Sequence, residues 1–195
     1  MNLEGKRIGF GLTGSHCTYD DVFPQMQRLM DLGADVVPIV SYTVQSTDSK
    51  FGEAAEHLNR IQEITDKNLI SSIPEAEPLG PKEPLDCMVI APLTGNSLSK
   101  FANALTDSPV LMAAKATLRN RNPVVLAIST NDALALNGAN LAKLLVAKNV
   151  YFVPFGQDNP IKKATSLVSH MDLLPETIDQ AIDGEQLQPI LREYR

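Results

Sequence analysis

Four segments of the chain are rich in glycine, hydroxyl and amide side chains, the groups that bind phosphate and carboxylate oxygens. They are residues 11–16 (GLTGSH), 41–47 (SYTVQST), 92–97 (PLTGNS) and 128–134 (ISTNDAL). Glycines let the backbone turn tightly against a ligand, and a helix that begins after such a loop offers free N–H groups to an anion. Together the segments predict a phosphate-bearing cofactor. For the first segment alone, a turn in which Thr13 or Ser15 caps the next helix is an equally good interpretation.

Residues for proton transfer or nucleophilic attack are few. His16 ends the first loop and its imidazole titrates near neutral pH, so it is a candidate for catalysis; Asn131 in the fourth segment is the other candidate. Cys17 stands at a helix start, where a thiolate is favoured, but we interpret it as a small buried residue beneath the loop. We interpret His57 and His170 as surface residues. The sequence shows no paired carboxylates and no metal-ligand spacing, so no metal is expected.

The elements that position these segments are apolar runs alternating with helical patterns. The runs typical of buried strands are residues 7–12, 35–40, 87–91, 123–128 and 150–153. Helical spacing lies between them, as at Val22, Met26 and Leu29. Residues 41–52 are expected to form a loop, and the four prolines within 71–84 predict an irregular connection. This alternation predicts a parallel sheet covered on both faces, with ligands beyond the carboxyl ends of its strands.

The composition excludes several classes of function. Apolar residues make up 44% and charged residues 21% of 195 residues, which predicts one globular domain rather than a disordered chain. The 17 Lys and Arg against 23 Asp and Glu give a net charge of −6, so binding to nucleic acid or an anionic membrane is not expected. No apolar run approaches the roughly 20 residues that span a bilayer. The two cysteines indicate a reduced, cytoplasmic protein.

Two of the segments carry motifs of a known family. Residues 11–19 (GLTGSHCTY) resemble the G-[IS]-[ST]-G-S-x-x-x-Y loop of the flavoprotein family of flavin-containing cysteine decarboxylases. Residues 91–103 (APLTGNSLSKFAN) resemble its A-P-A-S-A-N-T-x-x-K-x-A-N motif, and Asp107 fits the aspartate that follows. The resemblance extends over about residues 5–155.

The resemblance implies a fold, a cofactor and a set of site residues. The fold is α/β, a Rossmann-like/flavodoxin-like three-layer open doubly wound parallel sheet, expected as a single domain of residues 1–195. The resemblance does not reach the tail, where the amphipathic spacing of Ile178, Ile182 and Leu187 predicts a C-terminal helical extension over about 170–195. The cofactor is FMN, bound in a homo-oligomer that is a trimer or a multiple of trimers. The residues that would hold the FMN phosphate are Gly11, Thr13, Gly14, Ser15, His16 and Ser41. Those along the isoalloxazine and ribityl chain are Pro92, Leu93, Thr94 and Asn96, and those beside the flavin are Ser129, Thr130 and Asn131.

The resemblance also implies an activity. The sequence as a whole looks most like a subunit of an oxidoreductase from the mother cell of sporulating bacteria. With a second, different subunit, that enzyme oxidises a dihydropyridine dicarboxylate to pyridine-2,6-dicarboxylate, with FMN or NADP as the electron acceptor. The alternatives are an FMN-dependent decarboxylase, a flavin prenyltransferase-like enzyme or a non-catalytic regulatory subunit. The first lacks its catalytic His here, since none lies between His57 and His170, and the second would require a basic residue where Ser129 stands.

Overall fold

The apolar runs form five parallel strands of one sheet in the computed structural model, which describes residues 1–193. The strands are β1 (Arg7–Leu12), β2 (Asp35–Val40), β3 (Cys87–Leu93), β4 (Val124–Thr130) and β5 (Val150–Phe152). Their order is β2-β1-β3-β4-β5. Both faces of the sheet are buried because the strands are apolar along nearly their whole length. The predicted doubly wound fold is confirmed, and β1 and β2 have the predicted bounds.

Helices cover both faces of this sheet. They are α1 (Tyr19–Asp31), α2 (Tyr42–Ser46), α3 (Ala54–Thr65), α4 (Ile73–Ala76), α5 (Gly95–Ala102), α6 (Pro109–Arg119), α7 (Gly138–Leu145) and α8 (Leu174–Ile182). Helices α1, α3 and α8 pack with Phe10 and Val89 on one face, and α5, α6 and α7 pack with Met88 and Leu126 on the other. The result is three layers. Within residues 1–193, no helix is long and apolar enough to cross a membrane.

Three of these helices differ from the sequence prediction. Helix α6 was predicted without bounds, because most of its residues are buried and its apolar side chains do not form the single stripe that marks an amphipathic helix. Helix α2 lies in the segment 41–52 that we expected to be a loop. Helix α4 lies in the proline-rich connection, where Ser72 and Glu75 form a reciprocal capping box around its first turn.

An antiparallel hairpin, also absent from the prediction, joins the parallel sheet at its carboxyl edge. It consists of β6 (Phe155–Asn159) and β7 (Lys163–Ser169). Strand β7 pairs with the end of β4, where Ser129 faces Val168, whereas β5 pairs with the beginning of β4. The sheet of seven strands is therefore mixed. Because the hairpin extends β4 beyond β5, it stands beside the loops that follow the parallel strands.

The C-terminal segment is helical only in its first part. We expected a helical extension over about residues 170–195, and the helix there is α8. The chain from 183 to 193 then runs without helix along the sheet edges, and residues 194 and 195 lie outside the described part. The Gln186 side chain accepts from the Phe152 amide (2.8 Å) and donates to its carbonyl (2.7 Å), and the Arg192 amide donates to the Phe155 carbonyl (2.9 Å).

A substitution at Gly156 tests how much the contact between this tail and β6 stabilises the fold. A Cβ at Gly156 would lie 2.7 Å from the Arg192 carbonyl oxygen, so Gly156→Ala is expected to push the tail off β6 and to lower the free energy of unfolding by about 1–3 kcal/mol. Urea unfolding measures this. The matched control is Gly138→Ala, whose Cβ would meet only an ordinary contact at 3.5 Å. Equal free energies of unfolding for the two variants would show that the contact between the tail and β6 does not stabilise the fold.

Candidate functional site

The loops after β1 and β3 are joined by one buried hydroxyl. Thr13, which is 1% exposed, donates through Oγ1 to the Pro92 carbonyl (2.6 Å) and accepts at Oγ1 from the Thr94 amide (3.0 Å). The Tyr19 hydroxyl supports the first loop from below by donating to the Thr13 carbonyl (3.0 Å). Gly14 follows Thr13 in the first loop, Thr94 donates to it from the second, and both residues line the two clefts described next; we call this pair the Gly14–Thr94 ridge.

Two clefts lie on either side of the Gly14–Thr94 ridge, and both are lined by its two residues. The narrow cleft has a volume of about 260 Å³ and lies toward the loop after β2 and the start of α6. The wide cleft has a volume of about 690 Å³ and lies toward the end of β4 and the β6–β7 hairpin. The predicted site residues that line the narrow cleft are Thr13, Gly14, Ser41, Thr94 and Asn96. Those that line the wide cleft are Gly14, Ser15, Thr94, Ser129, Thr130 and Asn131.

The narrow cleft offers donors to an anion. Helices α5 and α6 both begin at it, capped by the Thr94 and Ser108 hydroxyls, and the first N–H groups of a helix have no partner within the helix. Lys100 adds an ammonium, which Asp107 holds at 2.7 Å within the same cleft. Such a set of donors suits a phosphate group.

Ser41 gives this interpretation an independent observation. The residue is 8% exposed and lines the narrow cleft, yet its Oγ has no hydrogen-bond partner. It stands at the N-cap position of α2 without capping it. A buried hydroxyl without a partner costs about 1–3 kcal/mol, so the fold retains a polar group that a ligand oxygen would satisfy.

The wide cleft is lined by paired hydroxyls and a fixed loop. The Ser15 and Ser129 hydroxyls share a hydrogen bond of 2.7 Å, which links the loop after β1 to the end of β4. Asp132 accepts from the Thr130 hydroxyl (2.7 Å) and from the Asn137 amide (2.8 Å). Gly95 fits against this group because it has no side chain: a Cβ there would lie 2.6 Å from Asp132 Oδ1. The start of α5 is thereby fixed against the floor of the cleft.

His16, predicted to hold phosphate, turns away from both clefts. Its ring stacks on that of His57 at 5.7 Å and meets the Tyr19 ring edge-on at 5.1 Å. The same cluster corrects the interpretation of His57 as a surface residue, because it is only 7% exposed between α1 and α3. Burial, and then the neighbouring His57, lower the pKa of the His16 imidazole from its ordinary value.

Three further predicted residues line neither cleft. Gly11 lies inside β1 beneath α6, and a Cβ there would come within 2.8 Å of Val110 Cγ1, so this glycine serves the packing of helix on strand. Pro92 and Leu93 are buried in β3, which continues past its predicted end at 91. Pro92 follows a cis peptide bond and contributes its carbonyl to the Thr13 hydroxyl.

The two cysteines have opposite environments. Cys17 is exposed on the wide cleft, which corrects the interpretation of it as a buried residue; the short 3-10 turn His16–Thr18 directs residues 16 and 18 inward and residue 17 outward. Cys87 is buried at the start of β3, and this burial raises the pKa of its thiol. In the part of the chain that the structure describes, no group of three or more His, Cys, Asp or Glu side chains is placed to hold a metal ion.

Several residues of the wide cleft were not predicted from the sequence, because they belong to the hairpin, which was itself not predicted. They are Asp158, Lys163, Ser166, Leu167 and Val168. The available signal is the Asn159-Pro160 dipeptide, typical of a turn, followed by the β-branched and hydroxyl residues of β7. The polar character of FGQDN conceals the first strand.

Comparisons with known proteins agree with the fold. A family model described as Flavoprotein matches residues 1–180. The chain belongs to the Flavoprotein family. It is 65% identical over 192 residues to the B subunit of dipicolinate synthase from Bacillus subtilis (strain 168), a match that covers 98% of this chain and 96% of that one.

Solved structures show the same relationship. The crystal structure of the B subunit of dipicolinate synthase from Bacillus halodurans C has a TM-score of 0.93 at 64% identity, with 100% of both chains covered. The FMN-dependent cysteine decarboxylase SpaF has a TM-score of 0.63 at 17% identity, over 92% of this chain and 98% of that one, and so shares the fold. The resemblance inferred from the two motifs is thus confirmed.

Replacement of Ser41 by alanine provides a test of the unpartnered hydroxyl. Ser41→Ala removes a buried group that lacks a hydrogen bond, so the free energy of unfolding of the ligand-free protein is expected to rise by about 1 kcal/mol. Urea denaturation measures the change. Thr13→Ala is the control with the opposite sign, because its hydroxyl makes two bonds. A loss of stability in Ser41→Ala would mean that the hydroxyl already has a partner.

The histidine cluster predicts a pH dependence of stability. Because the pKa of His16 is lowered in the folded state, the unfolded chain binds the proton more readily, and the free energy of unfolding should fall as the pH drops below about 6.5. His16→Phe keeps the ring contact with Tyr19 and removes the titration, so its stability should decline less over the same range. Urea midpoints at several pH values measure this, and identical declines would refute it.

Proposed function

We propose that the chain acts as one of the subunits of a dipicolinate synthase. It would work with the A subunit of dipicolinate synthase to oxidise dihydrodipicolinate to dipicolinic acid, pyridine-2,6-dicarboxylate, in the cytoplasm of the mother cell of a sporulating bacterium. The support comes from relatives named as the B subunit of this enzyme at 65% and 64% identity, which this chain matches over nearly its full length.

We propose FMN as the cofactor. The observation that carries this step is the buried, unpartnered hydroxyl of Ser41, a residue that lines the narrow cleft together with the start of α5 and Lys100. These are donors for a phosphate, and the adjoining wide cleft has room for the rest of a flavin nucleotide. NADP also carries a phosphate and is the alternative. Of the residues first assigned to FMN, Gly11, Pro92, Leu93 and His16 would support the loops rather than touch the cofactor.

The residues divide the work between the clefts. Ser41 and Lys100 would bind the phosphate, and the Gly14–Thr94 ridge would lie between the phosphate and the reacting part of the site. A bound flavin supplies a two-electron acceptor for the removal of two hydrogens from the dihydropyridine ring. Ser15, Ser129 and Asn131 offer donors to the substrate carboxylates and would hold the ring in register.

The geometry favours this oxidation over the decarboxylase alternative. Among residues 1–193 the lining of the wide cleft includes no histidine: His16 and His57 are engaged in the aromatic cluster, and His170 lines a neighbouring pocket. The catalytic histidine that the resemblance implies for cysteine decarboxylation therefore has no counterpart there.

We also propose that the chain forms a homo-oligomer, a trimer or a multiple of trimers. Exposed leucines at 134, 145 and 191 line an apolar pocket beside the hairpin, a kind of surface that supports the association of copies of one chain.

Titration and reconstitution together test the function. The purified chain is titrated with FMN, followed by quenching of flavin fluorescence, with riboflavin and NADP in parallel. We expect saturable FMN binding at micromolar concentration or below, and binding of riboflavin at least roughly tenfold weaker because it lacks the phosphate. Ser41→Ala and Lys100→Met should remove most of that difference.

The A subunit is then assayed on its own and with this chain for formation of dipicolinate from dihydrodipicolinate. We expect the product only when both proteins are present. Equal activity in the absence of this chain would refute the proposal. If the activity depended on this chain but neither FMN nor NADP bound to it, its role would be structural or regulatory, and the proposed role in holding the cofactor would be refuted.

A further inference from the structure

We infer that Lys163, on the β6–β7 hairpin, is the specificity-determining residue of the wide cleft and selects ligands that carry carboxylates. The inference rests on the proposed function for the identity of the dicarboxylate, whereas the placement of the lysine is a property of the structure. Within residues 1–193, Lys163 is the one lysine or arginine among the residues that line this cleft.

The hairpin that carries Lys163 is fixed to the cleft floor. The Thr165 hydroxyl donates to the Asn131 carbonyl (2.6 Å), and β7 pairs with Ser129 and Thr130 at the end of β4. At the turn, Asn159 Oδ1 accepts from the amides of Ile161 (3.2 Å) and Lys162 (2.9 Å). Lys163 therefore projects from a strand whose register is set by the same residues that line the cleft.

The charges around Lys163 make its ammonium necessary for the binding of an anionic ligand. The other charged side chains of the cleft lining are Asp21 and Asp158, and Lys163 Nζ lies 2.5 Å from Asp158 Oδ2. Without the ammonium, a dicarboxylate would meet two carboxylates and no cation, which is repulsive. The hydrogen bond and charge of Asp158, with a smaller contribution from Cys17, raise the pKa of Lys163, so the ammonium remains charged.

The Ser15–Ser129 pair and Asn131 supply a second point of contact in the same cleft. In the Ser15–Ser129 pair one hydroxyl donates to the other, which leaves the proton of the accepting hydroxyl available to a ligand oxygen. Asn131 adds an amide. On this inference a ligand with two carboxylates engages these donors with one and the ammonium with the other, whereas a monocarboxylate engages only one of the two. The pairing with Asp158 holds the ammonium at the cleft until a ligand carboxylate takes that place.

Cys17 provides a chemical probe of this arrangement. Its thiol is exposed on the wide cleft, which Lys163 also lines, and Sγ lies 3.8 Å from Ser15 Oγ. The other cysteine of the chain, Cys87, is buried and will not react in the folded protein. Alkylation of Cys17 therefore reports the charge and the occupancy of the wide cleft without flavin or a partner protein.

The experiment compares two alkylating reagents that differ in charge. The rate of reaction of Cys17 with anionic iodoacetate is divided by the rate with neutral iodoacetamide, because the quotient cancels changes in the reactivity of the thiol. Lys163→Met should lower the quotient roughly threefold, as expected for loss of one partly solvated charge. Lys163→Arg, which keeps the charge, should restore it. Lys162→Met, the adjacent exposed lysine outside the cleft lining, is the matched control and should leave it unchanged.

Protection by the ligand completes the test. Pyridine-2,6-dicarboxylate should slow the alkylation of Cys17 in the wild type, and the concentration for half-protection should rise about tenfold in Lys163→Met. Pyridine-2-carboxylate should protect more weakly than the dicarboxylate in the wild type, and Lys163→Met should bring the two ligands closer together.

Three results would overturn the inference. They are an unchanged quotient and unchanged protection in Lys163→Met, an equal effect of Lys162→Met, or no protection of the wild type. Since neither measurement uses FMN or the second protein of the synthase, a failed synthase assay with intact protection would refute the proposed function and leave the role of Lys163 standing. A successful synthase assay, with no effect of Lys163→Met on the quotient or on protection, would support the proposed function and refute the role of Lys163.

Discussion

The site depends on the hydroxyl of Thr13, which joins two loops that are far apart in the sequence. It donates to the carbonyl of Pro92 and accepts from the amide of Thr94, and burial protects both bonds from competition with water. The parallel sheet brings the loops after β1 and β3 to the same edge, but only approximately. The Thr13 hydroxyl sets their spacing, and the Gly14–Thr94 ridge that separates the two clefts is the consequence.

The strands were predictable because a buried parallel strand is a short apolar run bounded by turns. β1 and β2 have the predicted bounds for that reason. The bounds of helix α6 were not predictable from periodicity, because a helix buried on most sides has no polar stripe that would show its period. The β6–β7 hairpin was missed because β6 is polar and is held by backbone pairing with β7 and with the tail. Hydrophobic periodicity appears in elements that are buried on one side. It is absent from an element buried on most sides, such as α6, and from a polar one, such as β6.

The site was predictable to the level of loops and not of side-chain directions. Ser15 and His16 are neighbours in one motif, yet Ser15 faces the wide cleft and His16 enters the aromatic cluster. The direction of each side chain depends on the 3-10 turn that precedes α1, and no residue type in the loop predicts that turn. Gly11 illustrates a second limit. The sequence does not distinguish a glycine required for ligand binding from one required for helix packing. The position of Val110 in the structure shows that Gly11 is of the second kind.

In each cleft the lysine is paired with an aspartate, although the clefts differ in size. Asp107 holds the ammonium of Lys100 in the narrow cleft, and Asp158 holds that of Lys163 in the wide one, so each cation is already compensated. With a net charge of −6, the chain offers an anionic ligand little long-range attraction. Binding must come from directed donors at short range: hydroxyls, helix N-termini and an ammonium that exchanges one carboxylate for another. Such donors discriminate by the positions of a ligand's oxygens, and those positions are defined by the loops that Thr13 holds together.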